Sequence, residues 1–263
     1  MNNLALSDYV DLDDKQAKKK SVITMIVTLV ILVIIYQNLI PLIIEKLDLW
    51  PAVILTLVVS VLVACVARYF AKTFKVTKKF IKLGKITLTL FLLYIILTLL
   101  LETSSKLSIF KLKEWEILQI LTYAAMGGII EESLFRGLLL NVFIELFSKT
   151  KYVFIWASLC ECLCFSLYHF LNLGHQSLES TIGQVISVFS MGLIWTYLRF
   201  ASNGIILGII WHIYQDISPQ LLSSNIGITD IKAAIIYTAI LSLFALICIY
   251  SYNIRFSKGY VKE

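Results

Sequence analysis

The stretch Gly127-Gly128-Ile129-Ile130-Glu131-Glu132-Ser133-Leu134-Phe135-Arg136-Gly137 decides how the rest of the chain is read. It sets two adjacent carboxylates and an arginine inside an apolar run, 116–147, that is long enough to cross a bilayer. Ionisable side chains at that depth are costly, so they are kept for ion pairs or for chemistry. Three of them within six positions call for partners elsewhere in the chain.

Outward from this stretch the composition is that of a membrane protein. Of 263 residues, 59% are hydrophobic and 15% charged, where soluble domains run near about a quarter charged. The mean hydropathy is +0.86. Apolar runs fall at about 21–43, 51–71, 86–102, 116–147, 152–172, 180–200, 204–222 and 232–252. Each approaches the roughly 20 helical residues a bilayer core requires. The expected fold is an all-α, polytopic membrane helical bundle of about eight transmembrane helices. Its parts are a tail at 1–20, a bundle at 21–254 with a motif-bearing core at about 115–220, and a second tail at 255–263. The first run is longer than a signal-peptide core and no Ala-x-Ala site follows it. The five cysteines all lie in apolar runs, as small packing residues do, and suggest no disulfide framework.

Net charge is +6, but the basic residues stand in short segments between apolar runs. They speak to topology and anionic lipid rather than to nucleic acid, which is not expected as a partner. With an inside N-terminus, seventeen of the 23 basic residues fall on cytoplasmic segments, five outside, and Arg136 in the membrane. Both termini are therefore expected in the cytoplasm, with the chain in the cell membrane. The densest segment runs from Lys72 to Lys85, where lysines at 72, 75, 78, 79, 82 and 85 interleave with Phe74, Val76, Phe80, Ile81 and Leu83. It suits an amphipathic helix on anionic lipid, a docking surface, or, most simply, a positive-inside anchor.

Helical geometry sorts the polar residues. At about 100° per residue, Glu132 and Arg136 are four apart and share a face, within reach of an ion pair. Glu131 is turned about 140° from Arg136. It is left desolvated beside a like charge, the setting of a general acid or base. Gly127, Gly128 and Gly137 would admit a neighbouring helix or substrate backbone. On the fifth run, Phe165 lies one turn before His169, and Glu161 two turns before it on another face. Cys160, Cys162 and Cys164 alternate sides and cannot converge on one ion. On the seventh, His212 and Asp216 are four apart, so the carboxylate can fix the tautomer and direction of the imidazole. Gly204 and Gly208 would again permit close approach. His175, in a short loop, reads as a surface residue. Each pattern alone also suits a structural ion pair or ordinary packing. Together they supply the carboxylate and imidazoles needed to activate water and stabilise an oxyanion.

In this order and spacing the chain resembles the CAAX-protease and bacteriocin-processing family, the Rce1-type intramembrane proteases also labelled Abi. The family shows Glu-Glu-x-x-x-Arg, Phe-x-x-x-His and His-x-x-x-Asn/Asp. Here these are Glu131-Glu132-x-x-x-Arg136, Phe165-x-x-x-His169 and His212-x-x-x-Asp216. Asp216 stands where the best-known eukaryotic members have Asn. The resemblance implies an Rce1-like endopeptidase that cuts membrane-associated peptides or prenylated tails. Glu131 and His169 would activate water, Glu132 and Arg136 would support them, and His212 and Asp216 would stabilise the tetrahedral intermediate. It also implies a possible zinc ion held by Glu131, His169 and His212, against a metal-free glutamate mechanism. The alternatives are a non-catalytic regulator or bacteriocin self-immunity protein, motivated by the 72–85 segment, and an ion-coupled transporter, motivated by the buried carboxylates.

Overall fold

A computed structural model describes residues 3–222 and 230–259; Lys262, counted above among the basic residues, lies outside them. Every one of the eight apolar runs is helical, and no strand occurs among the described residues. The helices are α1 (Lys15–Ile34), α2 (Ile40–Ile44), α3 (Leu49–Phe70), α4 (Lys85–Leu107), α5 (Glu114–Glu131), α6 (Leu140–Leu146), α7 (Val153–Tyr168), α8 (Leu178–Ser202), α9 (Ile206–Asp216) and α10 (Ile231–Ser257). A π-helical stretch, Ile35–Leu39, joins α1 to α2, and a second, Glu132–Leu139, joins α5 to α6.

Helix starts are set by local chemistry. Asp14 accepts from the Gln16 N–H to open α1, Ser177 from Ser180 to open α8, and Asp230 from Lys232 and Ala233 to open α10. α8 stops at Asn203, whose φ of 53° lies in the left-handed region.

Six helices among the described residues are each long and apolar enough to cross a membrane. The two runs that fall short carry all the site residues but His169, which lies on the Val153–Gly174 run. The α5–α6 run holds Glu131, Glu132 and Arg136 in its middle, and α9 has only 11 residues, about 16 Å of helix. α8 is the centre of the bundle: 72% of its apolar window is buried, against 11–22% for α1, α3, α4 and α10. These four turn Leu, Ile and Val side chains outward, as lipid-facing helices do.

The segments assigned to the cytoplasm meet at one end of the bundle. Lys18 donates to Ser148, Lys149 pairs with Asp13, Asn253 donates to the Lys151 carbonyl and Arg255 to that of Lys82. Two expectations change here. Residues before Lys15 are packed rather than trailing, with Leu4 and Leu6 buried and the Ala5 N–H bonded to the Val76 carbonyl. The 72–84 segment is not a helix. Asn203 Oδ1 accepts from the Val76 and Thr77 N–H groups at 2.8 and 2.9 Å, and Leu4 bridges to Thr77. The buried Arg199 guanidinium donates to the Phe74 carbonyl and to Asn141 Oδ1. Tertiary bonds hold this backbone extended, with Val76, Thr77 and Ile81 inside and the lysines outside.

Candidate active site

α5 brings Glu131 and Glu132 to its C-terminal end, where the backbone loosens into the π-helical stretch. Such stretches are common at functional sites because they redirect side chains without ending a helix. Glu132, Arg136 and Glu161 are fully buried. Arg136 is shared between two carboxylates: its Nη1 stands 3.4 Å from Glu132 Oε1, and its Nε 3.6 Å from Glu161 Oε1 on α7. Thr196 on α8 donates to the other oxygen of Glu161 at 2.9 Å. The guanidinium lies over the Phe165 ring at 3.9 Å and near Trp195 at 4.9 Å. Gly192 makes the room, since a Cβ there would fall 2.8 Å from Arg136 Nη2.

His212 is the hub of the second half. Its Nδ1 lies 3.1 Å from Glu132 Oε1, while its Nε2 faces Asp216 Oδ2 at 3.4 Å and Glu131 Oε2 at 3.8 Å. The ring stacks on Trp195 at 3.9 Å, and Trp195 donates through Nε1 to Gln215 at 2.7 Å. The histidine therefore has a different guide from the one expected. Glu132 takes Nδ1 and fixes the tautomer, whereas Asp216 stands on the Nε2 side. Close approach of α9 to α5 depends on glycine. A Cβ on Gly208 would fall 2.8 Å from Glu132 Oε2, and one on Gly128 would fall 2.5 Å from Ile213. Gly204 differs from expectation, with nothing within 4 Å of its Cβ position, because it lies in the turn after α8.

α7 ends at Tyr168, and His169 opens the 3₁₀ turn that follows. It is buried, bonds through Nδ1 to the Phe165 carbonyl at 2.9 Å, and meets the Phe165 ring edge-on. It stands within electrostatic range of His212, Arg136 and Asp216 but makes no hydrogen bond or ion pair with them. Phe165, Trp195 and His212 form a continuous aromatic path between the two histidines. The structure thus gathers Glu131, Glu132, Arg136, His212 and Asp216 by direct contact, and His169 through its neighbours.

Among these, Glu131 and Asp216 alone keep appreciable exposure, with side chains 14% and 31% accessible. They form the open side of the cluster. Tyr36 and Tyr168 lie within electrostatic range of Glu131, and Gln37 donates to the Tyr168 hydroxyl. Glu161, Trp195, Gln215 and this Tyr36–Gln37–Tyr168 group are the members that motif spacing misses. A buried glutamate with no partner on its own helix was the one available signal, and it pointed to Glu161.

Among the described residues no three His, Cys, Asp or Glu side chains are placed to hold a metal ion. Glu131, His169 and His212, the zinc set that the resemblance implies, are therefore not gathered as one such group, although the Nδ1 bond of His169 to a backbone carbonyl leaves its Nε2 open. The cysteines are all free; only Cys162 is buried near the cluster, against Glu161 and Thr196.

The fold and site define a multi-pass membrane protein with a buried carboxylate–imidazole centre. Residues 113–218 match the family model described as type II CAAX prenyl endopeptidase Rce1-like. That family is one of proteases, of the CAAX-type intramembrane kind. No match was found among curated proteins or among solved structures.

Proposed function

We propose that the chain is an endopeptidase that hydrolyses a peptide bond of a membrane-associated peptide or protein, with Glu131 as the working carboxylate. The observation that carries this is the setting of His212, with a buried carboxylate on Nδ1 and the accessible Glu131 and Asp216 on Nε2. With Glu132 accepting from Nδ1–H, Nε2 is left to serve the reaction.

On this reading Glu131 takes a proton from a water molecule, and the oxygen of that water bonds to the scissile carbonyl carbon. The carbonyl oxygen becomes an oxyanion. His212, held as an imidazolium between Glu132 on Nδ1 and Asp216 on the Nε2 side, donates an Nε2–H hydrogen bond to it and keeps its proton throughout. Collapse of the intermediate breaks the C–N bond, and the proton held by Glu131 passes to the leaving amine. His169 helps to hold the water. Arg136, clamped by Glu161, keeps Glu132 aimed at His212. Zinc, if bound, would polarise the carbonyl and the water, and no step above depends on it. The substrate reading covers a CAAX-type tail as well as a bacteriocin, pheromone or signalling precursor. Placement in the cell membrane with both termini cytoplasmic, and contact of the 72–85 segment with anionic lipid, belong to the same proposal. The meeting of the basic segments at one end supports them.

The test compares membrane-peptide profiles of cells carrying the wild type and Glu131→Gln, and repeats the cleavage with purified chain in vesicles. Peptides that persist only in the variant, and are cut by the wild type in vesicles, are the expected result. Identical profiles, with a partner co-purifying equally with both forms, would instead support a non-catalytic regulator.

A further inference from the structure

A groove with a volume of about 770 Å³ lies away from the acid–base cluster, between the start of α4 and the end of α10. Lys82, Lys85 and Arg255 line it together with the hydroxyls of Thr87 and Ser251, and no carboxylate is among the described residues that line it. Gly84 is also among the residues that line it. A Cβ there would fall 3.0 Å from Thr87 Oγ1, 3.2 Å from Arg255 Nε and 3.3 Å from Ser251 Oγ, so three polar groups converge on the bare Cα. Gly84 has no positive φ that would call for glycine; the requirement at this position is space.

Directly beyond the groove, α4 presents Ile86, Leu90, Leu93, Leu97 and Leu100, all exposed. Their spacings of four, three, four and three form one stripe down the helix. It runs 14 residues, about 21 Å, which exceeds the half-thickness of about 15 Å of a bilayer core. A positively charged recess opening onto an apolar stripe of acyl-chain length has the two chemistries of a phospholipid in the right order.

We propose that this groove binds an anionic glycerophospholipid, its headgroup phosphate among Lys82, Lys85, Arg255, Thr87 and Ser251 and its acyl chain along the α4 stripe. This rests on the reading of this end as the membrane face that meets anionic lipid, and replaces a diffuse lysine contact over 72–85 with one defined site. It is independent of the protease assignment, because its readout is bound lipid.

The experiment is native mass spectrometry of the full chain titrated with phosphatidylglycerol, phosphatidylcholine or inorganic phosphate. The wild type is expected to retain one phosphatidylglycerol in preference to phosphatidylcholine. Near a membrane surface one basic residue is worth about a fivefold change in affinity, so Lys82→Gln with Lys85→Gln should weaken retention about 25-fold. Lys75→Gln with Lys79→Gln removes the same charge from the same segment outside the groove and should leave retention unchanged. Gly84→Val keeps every charge and fills the recess, and should lose the lipid. Equal weakening by the two lysine pairs, or full retention by Gly84→Val, would overturn the proposal. Displacement of the lipid by equimolar inorganic phosphate would overturn the assignment to lipid.

Discussion

Neutralising Glu161 tests the site most sharply, because Glu161 lies outside every motif and touches the cluster only through Arg136. The geometry gives Arg136 two nearly equivalent carboxylates, at 3.4 and 3.6 Å, all three groups being fully buried. With an effective dielectric constant of about 20, each attraction is worth about 4–5 kcal/mol. Glu161→Gln removes one of them and also removes the expense of keeping a carboxylate dry, so the loss in stability is smaller than the attraction. Breaking a buried pair costs roughly 3–5 kcal/mol, and Arg136 keeps Glu132, which sets the expectation at the low end, about 3 kcal/mol. Unfolding of the purified chain by SDS in mixed micelles measures this.

A double-mutant cycle with Arg136→Gln isolates the pair, and a coupling of about 1.5 kcal/mol or more is expected. Released from Glu161, Arg136 is drawn wholly to Glu132 and competes with His212 for Oε1, so turnover in vesicles should fall along with stability. Thr196→Val, which removes only the hydrogen bond to Glu161, should repeat the effect at about 1.5 kcal/mol. A loss below about 0.5 kcal/mol for Glu161→Gln, with additive behaviour in the cycle, would refute the view of Arg136 as shared.

Gly208→Ala places a methyl group 2.8 Å from Glu132 Oε2 and should lower turnover about 100-fold by shifting the glutamate off His212. Gly204→Ala, with open space around it, should leave turnover at the wild-type level. Prolonged chelation followed by metal analysis should leave the turnover of zinc-free chain unchanged, because the side chains do not converge as a ligand set. Activity lost on chelation and restored by zinc alone would overturn that expectation. Glu131→Gln should reduce turnover by about 10²–10⁴ while changing the SDS unfolding midpoint little, and an active Glu131→Gln would remove the glutamate from its assigned role.

What the sequence made legible was what a single helix determines. The eight apolar runs are helical because hydropathy over some 20 residues is a strong local signal. Glu132 with Arg136, and His212 with Asp216, are pairs four apart and meet as helical spacing requires. The interhelical contacts had no such signal. Angular arithmetic on one helix left Glu131 without a partner, yet α9, crossing on Gly128 and Gly208, brings His212 to it and to Glu132. Glu161 is likewise invisible as a partner of Arg136 until α7 and α5 are packed together.

The 72–84 segment shows the opposite case, in which a local pattern admits more than one backbone. Lysines three and four apart suit an amphipathic helix, but an extended backbone pinned by Asn203, Arg199 and Leu4 also keeps them in water. The deciding atoms are more than a hundred positions away for Asn203 and Arg199. The same logic governs the acid–base cluster: a glutamate–arginine pair specifies itself on one helix, but its chemistry depends on which groups other helices deliver. Here the third carboxylate and the imidazole come from α7 and α9, and glycines at 192 and 208 admit them. Those two glycines, rather than further charged residues, are therefore where a sequence search for this kind of site gains most.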